Sequence, residues 1–270
     1  GAGSAADAAF VAECCAHLGI SLTLGLVSED ERAGWHGSLE AAARTARYRF
    51  LRMVAADVAA DCIAVGHTLD DQAETVLLHL LRGSGLDGLA GMRPRAHDLI
   101  RPILGLRRAA TEAYCAERGI TPRDDPSNAD PRFTRNRVRH ELLPLLATFG
   151  SDIHATLARN AEILARDADY LNAAAEAAWA SVLRHTTAPT VTLDRTALRG
   201  LPPAMRSRVL RRAILAVGSP KPDASLNADS LARLDRVVLD GSGERRVVQL
   251  NTGAVAVCHR DEVTITPGGQ

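Results

Sequence analysis

His67, Asp70, Asp71 and Glu74 fall within eight positions of one another in VGHTLDDQAETVLLHLLRG, residues 65–83. An imidazole can carry a proton near neutral pH. Carboxylates can answer arginines or take part in holding magnesium through phosphates and water. Part of the stretch needs no chemistry: Thr68 reads as a helix N-cap with Asp71 as its capping-box partner, and both aspartates suit the positive end of a helix dipole. Capping leaves over His67, one residue outside the helix, and Glu74, one turn further in. His67 and Asp71, at i and i+4, could also chelate zinc, but no clear further ligands accompany them.

A second group is cationic. Between Arg93 and Arg139 there are eleven arginines against six acids, in a chain whose 32 basic and 32 acidic residues cancel. On a helix, Arg132, Arg135 and Arg139 would share one face, and planar guanidinium forks match phosphate oxygens. The alternative is a solvated face paired with Glu141 and nearby aspartates. Arg44 and Arg47 stand on a separate helical stretch, where snorkelling explains them equally well.

The elements that must position these groups can be read from periodicity. Residues 5–18 read as a helix and Ile20–Val27 as a strand. Ser38–Ala60 reads as a long helix carrying Arg44, Arg47 and Tyr48. Cys62–Val65 is a short buried strand, followed by a helix from Leu69 with a buried stripe of Ala73, Val76, Leu77, Leu80 and Leu81, ending at Arg82 and Gly83. Gly83–Gly91 reads as a turn, Leu99–Leu104 as an apolar piece and Arg107–Arg118 as a helix. This alternation implies an α/β fold with a parallel sheet and flanking helices, whose ligands bind at the carboxyl ends of the strands.

Residues 122–131, PRDDPSNADP, are a loop. RFTRNRVRHELLPLL starts helical, with Pro144 as a kink or boundary. A long alanine-rich helix over 152–183 leads to a strand at 190–193, helices at 205–217 and 228–239, and a hairpin over 245–265. Two domains are expected, 1–150 and 151–270.

Composition narrows the class. Lys221 is the only lysine, so arginine clusters partly reflect compositional bias. Five cysteines without a C-x-x-C fit neither a disulfide framework nor a zinc site, and point to a reducing, cytoplasmic setting. No apolar run approaches a membrane span, and no signal peptide is read.

Four segments in order, SLEAAARTARYRFL, VGHTLDDQAETVLLHLLRGSGLDGLAGM, LIRPILGLRRAATEAYCAERGI and DDPSNADPRFTRNRVRHELLPLL, resemble the tRNA(Ile)-lysidine synthases of the N-type ATP pyrophosphatase superfamily, whose fold is adenine nucleotide alpha hydrolase-like. The likeness is strong over roughly residues 5–150. It implies a ligase that adenylates the C2 oxygen of the wobble cytidine of tRNA(Ile) with a CAU anticodon, using ATP and magnesium. The L-lysine ε-amine then displaces AMP to give lysidine. By motif, His67, Asp71, Arg135 and Arg139 fall on catalytic positions and Arg44, Arg47, Asp70 and Glu74 on ATP-binding ones, with Asp70 and Asp71 as magnesium carboxylates. The tail would be a helical linker and tRNA-binding domain, and the resemblance allows a homodimer.

Family members open with a strand and a Ser-Gly-Gly-x-Asp-Ser phosphate loop, whereas Gly1–Phe10 resembles the region beyond a second strand. The expectation is therefore a truncated, inactive chain with unpaired strand edges and a gap in its core. A non-catalytic tRNA-binding remnant, a tRNA thiolase and an ammonia-dependent ligase are the competing readings.

Overall fold

The computed structural model describes residues 2–35, 39–123, 130–150, 152–218 and 226–268. They form two compact units, 1–165 and 166–270. The division falls inside a long helix rather than before it, because that helix serves two cores. Its first turns pack Ile153 and Leu157 on the first, and Ala175 and Val182 belong to the second. None of the described helices is long and apolar enough to cross a membrane.

The first unit runs α1 (Ala2–Leu18), α2 (Glu29–Ala33), α3 (Leu39–Asp57), β1 (Ile63–Ala64), α4 (Leu69–Leu81), α5 (Leu86–Leu89), β2 (Arg95–Ala96), β3 (Leu99–Ile100) and α6 (Arg108–Glu117). Next come α7 (Thr134–Arg137), a π-helical turn at Val138–Leu142, α8 (Leu143–Ala147) and the start of α9 (Ile153–Val182). β1 and β3 pair in parallel, Ile63 opposite Leu99 and Ala64 opposite Ile100, and β2 adds antiparallel to β3. The sheet is the expected α/β kind, though each strand is two residues long.

The capped start of α4 is as the residues require. Thr68 Oγ1 accepts from the Asp71 N–H at 3.4 Å while Asp71 Oδ2 accepts from the Thr68 N–H at 2.8 Å. Ala73, Val76 and Leu77 are buried as expected, but Leu80 and Leu81 are 56% and 63% exposed. The helix rotates them past its packing partners, and Leu78 takes the inward position against Val138 and Leu143. The buried face also carries polar groups. Gln72 clamps the strand entry, its amide bonded both ways to the Met92 backbone at 2.8 and 3.1 Å. Gly91, at φ +62°, passes so close that a Cβ would lie 2.8 Å from that amide.

Ile20–Val27, expected as a strand, forms none. It has no strand partner among the described residues, and its apolar side chains are exposed, Leu26 almost completely. Extended backbone becomes a strand only where a neighbour takes its hydrogen bonds. The expected turn at Gly83–Gly91 contains α5. Pro144 enters the first turn of α8 without ending the helix. The π turn before it lets the Leu143 N–H reach the Val138 carbonyl five residues back, one of the devices that absorb irregular helix register.

The second unit holds β4 (Leu183–Thr187), β5 (Thr190–Asp194), α10 (Arg195–Gly200), α11 (Pro203–Ala216), α12 (Ala228–Leu239), β6 (Arg246–Gln249), β7 (Val255–His259) and β8 (Glu262–Thr266). The sheet order is β4-β5-β8-β7-β6, and the pairings within it are antiparallel. The expected hairpin over 245–265 is thus a three-stranded meander, and β4 begins where the long helical pattern was expected to end. Arg195, fully buried, donates to the carbonyls of Val237, Val238, Asp240 and Arg260 at 2.5–3.1 Å. It answers the unpaired carbonyls and negative dipole end of α12.

Within the first unit, α7 and the π turn are fixed on α4 by one carboxylate. Glu74 is 1% exposed. Arg135 Nε reaches its Oε2 at 2.7 Å, and Arg139 binds both oxygens, at 2.5 and 3.0 Å. Removing one partner of a buried charge group leaves the others uncompensated. Because the arginines keep roughly a fifth to a quarter of their side-chain surface, solvent offsets part of that loss. Glu74→Gln is expected to cost about 2 kcal/mol in urea-induced unfolding. A change under about 0.5 kcal/mol would mean that the cluster does not hold α7 in place.

Candidate active site

β1 ends at Ala64, and the chain passes through Val65 and Gly66 to His67 before α4 begins. A cleft of about 420 Å³ opens there, lined by Val65, Gly66, His67 and Asp71, by Arg44, Arg47, Tyr48 and Leu51 of α3, by Arg108 of α6 and by Arg139 of the π turn. The cleft therefore lies at the carboxyl end of β1, as a parallel sheet requires.

Its charges divide into two sets. Arg139 and Asp71 are committed. Asp71 Oδ1 lies 3.2 Å from Arg135, 3.6 Å from Arg139 and 3.8 Å from Arg108. Burial pushes the Asp71 carboxyl up, but the Thr68 N–H and hydroxyl and the Arg135 and Arg108 guanidiniums hold it below the usual carboxylate range. It is therefore ionised at neutral pH. Arg44 and Arg47 are uncommitted: both are exposed, and neither forms an ion pair among the described residues. The Arg44 guanidinium stacks 4.9 Å from the centre of the Tyr48 ring, which holds it over the cleft without neutralising it.

His67 is half-buried, and its Nδ1 has no hydrogen-bond partner among the described residues. Burial is the main reason its pKa falls below 6.5; Asp71 opposes the shift, and Arg101, Arg44 and Arg135 add to it. At neutral pH the ring is uncharged, with a nitrogen able to accept a proton.

Of the residues singled out in the sequence, the structure brings His67, Asp71, Arg44, Arg47 and Arg139 to the cleft and sets Glu74 and Arg135 behind it. Asp70 lies to one side. Its Oδ2 accepts from the Arg108 backbone N–H at 2.7 Å and from Arg107 Nε at 3.3 Å, and Oδ1 is 3.7 Å from His154 Nε2. It caps α6 from another helix. Arg132 does not share the face of Arg135 and Arg139: it precedes α7, is 85% exposed, and pairs with Asp130. Arg137 pairs with Glu141. The solvated-face reading thus holds for these two arginines, while Arg135 and Arg139 turn inward onto Glu74 and Asp71.

Asp70 and Asp71 do not fit a resident magnesium. The first caps a helix, the second is ringed by guanidiniums, and the described residues contain no metal-spaced group of three His, Cys, Asp or Glu. Arg107 and Arg108 were missed in the sequence, although two arginines at a helix start oppose the dipole and mark the need for an outside acid. The DDPSNA portion of the loop, residues 124–129, lies outside the described residues.

Residues 2–146 match the PP-loop domain family, and residues 193–264 match the TilS substrate binding domain. The tRNA(Ile)-lysidine synthase of Thermobifida fusca is 42% identical over 252 residues, which cover 91% of this chain and 73% of that protein. That of Symbiobacterium thermophilum is 40% identical over 239 residues, 84% of this chain and 49% of that protein, so the chain spans about half the length of this second relative. A solved U34-tRNA thiolase NcsA from Methanococcus maripaludis, with its 4Fe-4S cluster, aligns over 58% of this chain and 56% of its own at 17% identity and a TM-score of 0.47. That likeness is too slight to carry an argument. The PP-loop match covers residues 2–146, and no finding supports the expected inactive fragment. With 42% identity across 91% of its length and two domain matches in order, the chain belongs to the tRNA(Ile)-lysidine synthase family.

Proposed function

We propose that this chain joins L-lysine to C2 of the wobble cytidine of tRNA(Ile) with a CAU anticodon, consuming ATP and releasing AMP and pyrophosphate. The observation that carries the reading is the cleft at the end of β1, where uncommitted Arg44 and Arg47 face a neutral imidazole and an ionised Asp71. The cytidine C2 oxygen attacks the α-phosphorus of ATP and pyrophosphate leaves. The lysine ε-amine then attacks C2, the C2–O bond breaks and AMP departs. Charge develops on phosphate oxygens in the first step, and guanidiniums held in advance stabilise it. Magnesium accompanies the nucleotide as counter-ion to its phosphates. In the second step the amine loses a proton, and in this reading the neutral His67 ring accepts it.

Glu74 and Asp71 act indirectly. They hold Arg135 and Arg139 in one geometry, so the arginines do not have to be ordered when substrate arrives. The second unit is the tRNA-holding part in this reading, and a cytoplasmic location follows from the substrate.

Incubation of the chain with ATP, magnesium, L-lysine and the tRNA, followed by mass analysis of its nucleosides, is expected to reveal lysidine; its absence under conditions where a Thermobifida enzyme succeeds would overturn the reading. Arg44→Ala and Arg47→Ala are each expected to lower kcat/KM about tenfold. Their unfolding midpoints should match the parent, since both side chains are exposed.

His67 supplies a test in pH. Its folded midpoint lies below the 6.5 of a free imidazole. Between the two values the unfolded chain binds a proton that the folded chain does not. Its contribution to stability is therefore complete above 6.5 and declines as pH falls through that window. An NMR titration of the His67 ring should give a midpoint under 6.5, and one above it would contradict the neutral ring.

A further inference from the structure

Arg101 comes directly after β3, and His67 stands three residues beyond β1. The two strands are adjacent and parallel, with Ala64 opposite Ile100 and the Val65 N–H donating to the Ile100 carbonyl at 3.0 Å. Both side chains therefore leave the carboxyl end of one parallel pair.

Arg101 is 7% exposed. Its Nη1 donates to the Arg93 carbonyl at 2.7 Å, and its backbone N–H to that of Pro94 at 2.8 Å. Its Nε is buried and has no acceptor, and no carboxylate pairs with it among the described residues. The other two buried arginines are answered. Arg195 serves four carbonyls, while Arg206 forks onto Asp235 at 2.6 and 3.3 Å. A desolvated guanidinium with an idle donor is costly unless something else accepts from it. The nearby His67 Nδ1 is a second buried polar atom left unanswered. His67 lines the cleft, and the two unanswered polar atoms stand at adjacent strand ends, where a polar ligand would take up their hydrogen bonds.

We propose that Arg101 binds an oxyanion of a substrate beside His67, through the Nε edge of its guanidinium. The anion is a phosphate of the nucleotide or the α-carboxylate of the amino acid. The identity of those substrates rests on the lysidine reading; the anion site does not. Arg101 also helps to lower the pKa of His67, so a bound anion would partly relieve that effect. If Arg101 were only a strut for the Arg93 loop, its Nη1 bond alone would matter.

The test is calorimetric titration of the full chain with inorganic phosphate, ATP and L-lysine in turn, comparing the parent with Arg101→Met and Arg101→Lys. Lysine keeps the charge but not the Nε edge, and it is the variant to read if Arg101→Met fails to fold. Phosphate affinity is expected to fall about tenfold or more in both variants. Whichever of ATP or L-lysine supplies the anion should weaken alongside phosphate while the other holds. The His67 midpoint should rise toward 6.5 in Arg101→Met. Folded variants that bind all three probes like the parent, or a parent that binds none, would overturn the site. Phosphate binding lost on substitution, with neither ATP nor L-lysine bound by the parent, would keep the site and overturn the lysidine reading.

Discussion

Glu74 is a carboxylate almost wholly withdrawn from water and answered by two guanidiniums from a segment more than sixty positions away. A buried charge of this kind is tolerated only with good geometry and full pairing. Satisfying it forces α7 and the π turn onto α4. Arg139 is thereby brought to the cleft, and Arg135 to Asp71, where it adds to the Thr68 hydrogen bonds that hold the carboxyl low against its burial. The capping box adds to the same result, since the Asp71 oxygen that closes the helix start is on the carboxyl group that meets the arginines. Structural and chemical demands here are met by the same atoms.

The cleft then has two kinds of cation with different duties. Arg139 is fixed in advance and loses little freedom on binding. Arg44 and Arg47, exposed and unpaired with acids among the described residues, are the groups a polyphosphate can neutralise. His67 stays neutral because burial and surrounding guanidiniums both disfavour its charged form. A positive cleft that contains an uncharged base suits a reaction in which phosphate charge must be stabilised and an amine must lose a proton.

Much of this was legible locally. The N-cap, the strand before it and the end of α4 depend on residues within a few positions, so Thr68, Asp71 and Gly83 announced them. Ile20–Val27 misled because a strand is a property of two segments, and its pattern says nothing about a neighbour. Leu80 and Leu81 misled because helical spacing continues past the point where packing partners stop. β4 was missed because alanine-rich periodicity runs on to Val182, and the turn to a strand depends on β5 alongside. The convergence of Arg135 and Arg139 on Glu74 joins distant segments; the resemblance to a family grouped these residues, but only the folded chain reveals which of them touch. Asp70 caps α6, a role invisible without α6 in place. Arg101 carried no signal at all, since an unanswered donor exists only in three dimensions.

Central to the proposed reaction is its order: the cleft activates the tRNA with ATP before the amine attacks. The most direct measurement is pyrophosphate release from ATP with tRNA(Ile) present and L-lysine withheld. The expected result is release that requires the tRNA and leaves AMP attached to it. Release that does not require the tRNA, or that appears only when lysine is added, would contradict that order.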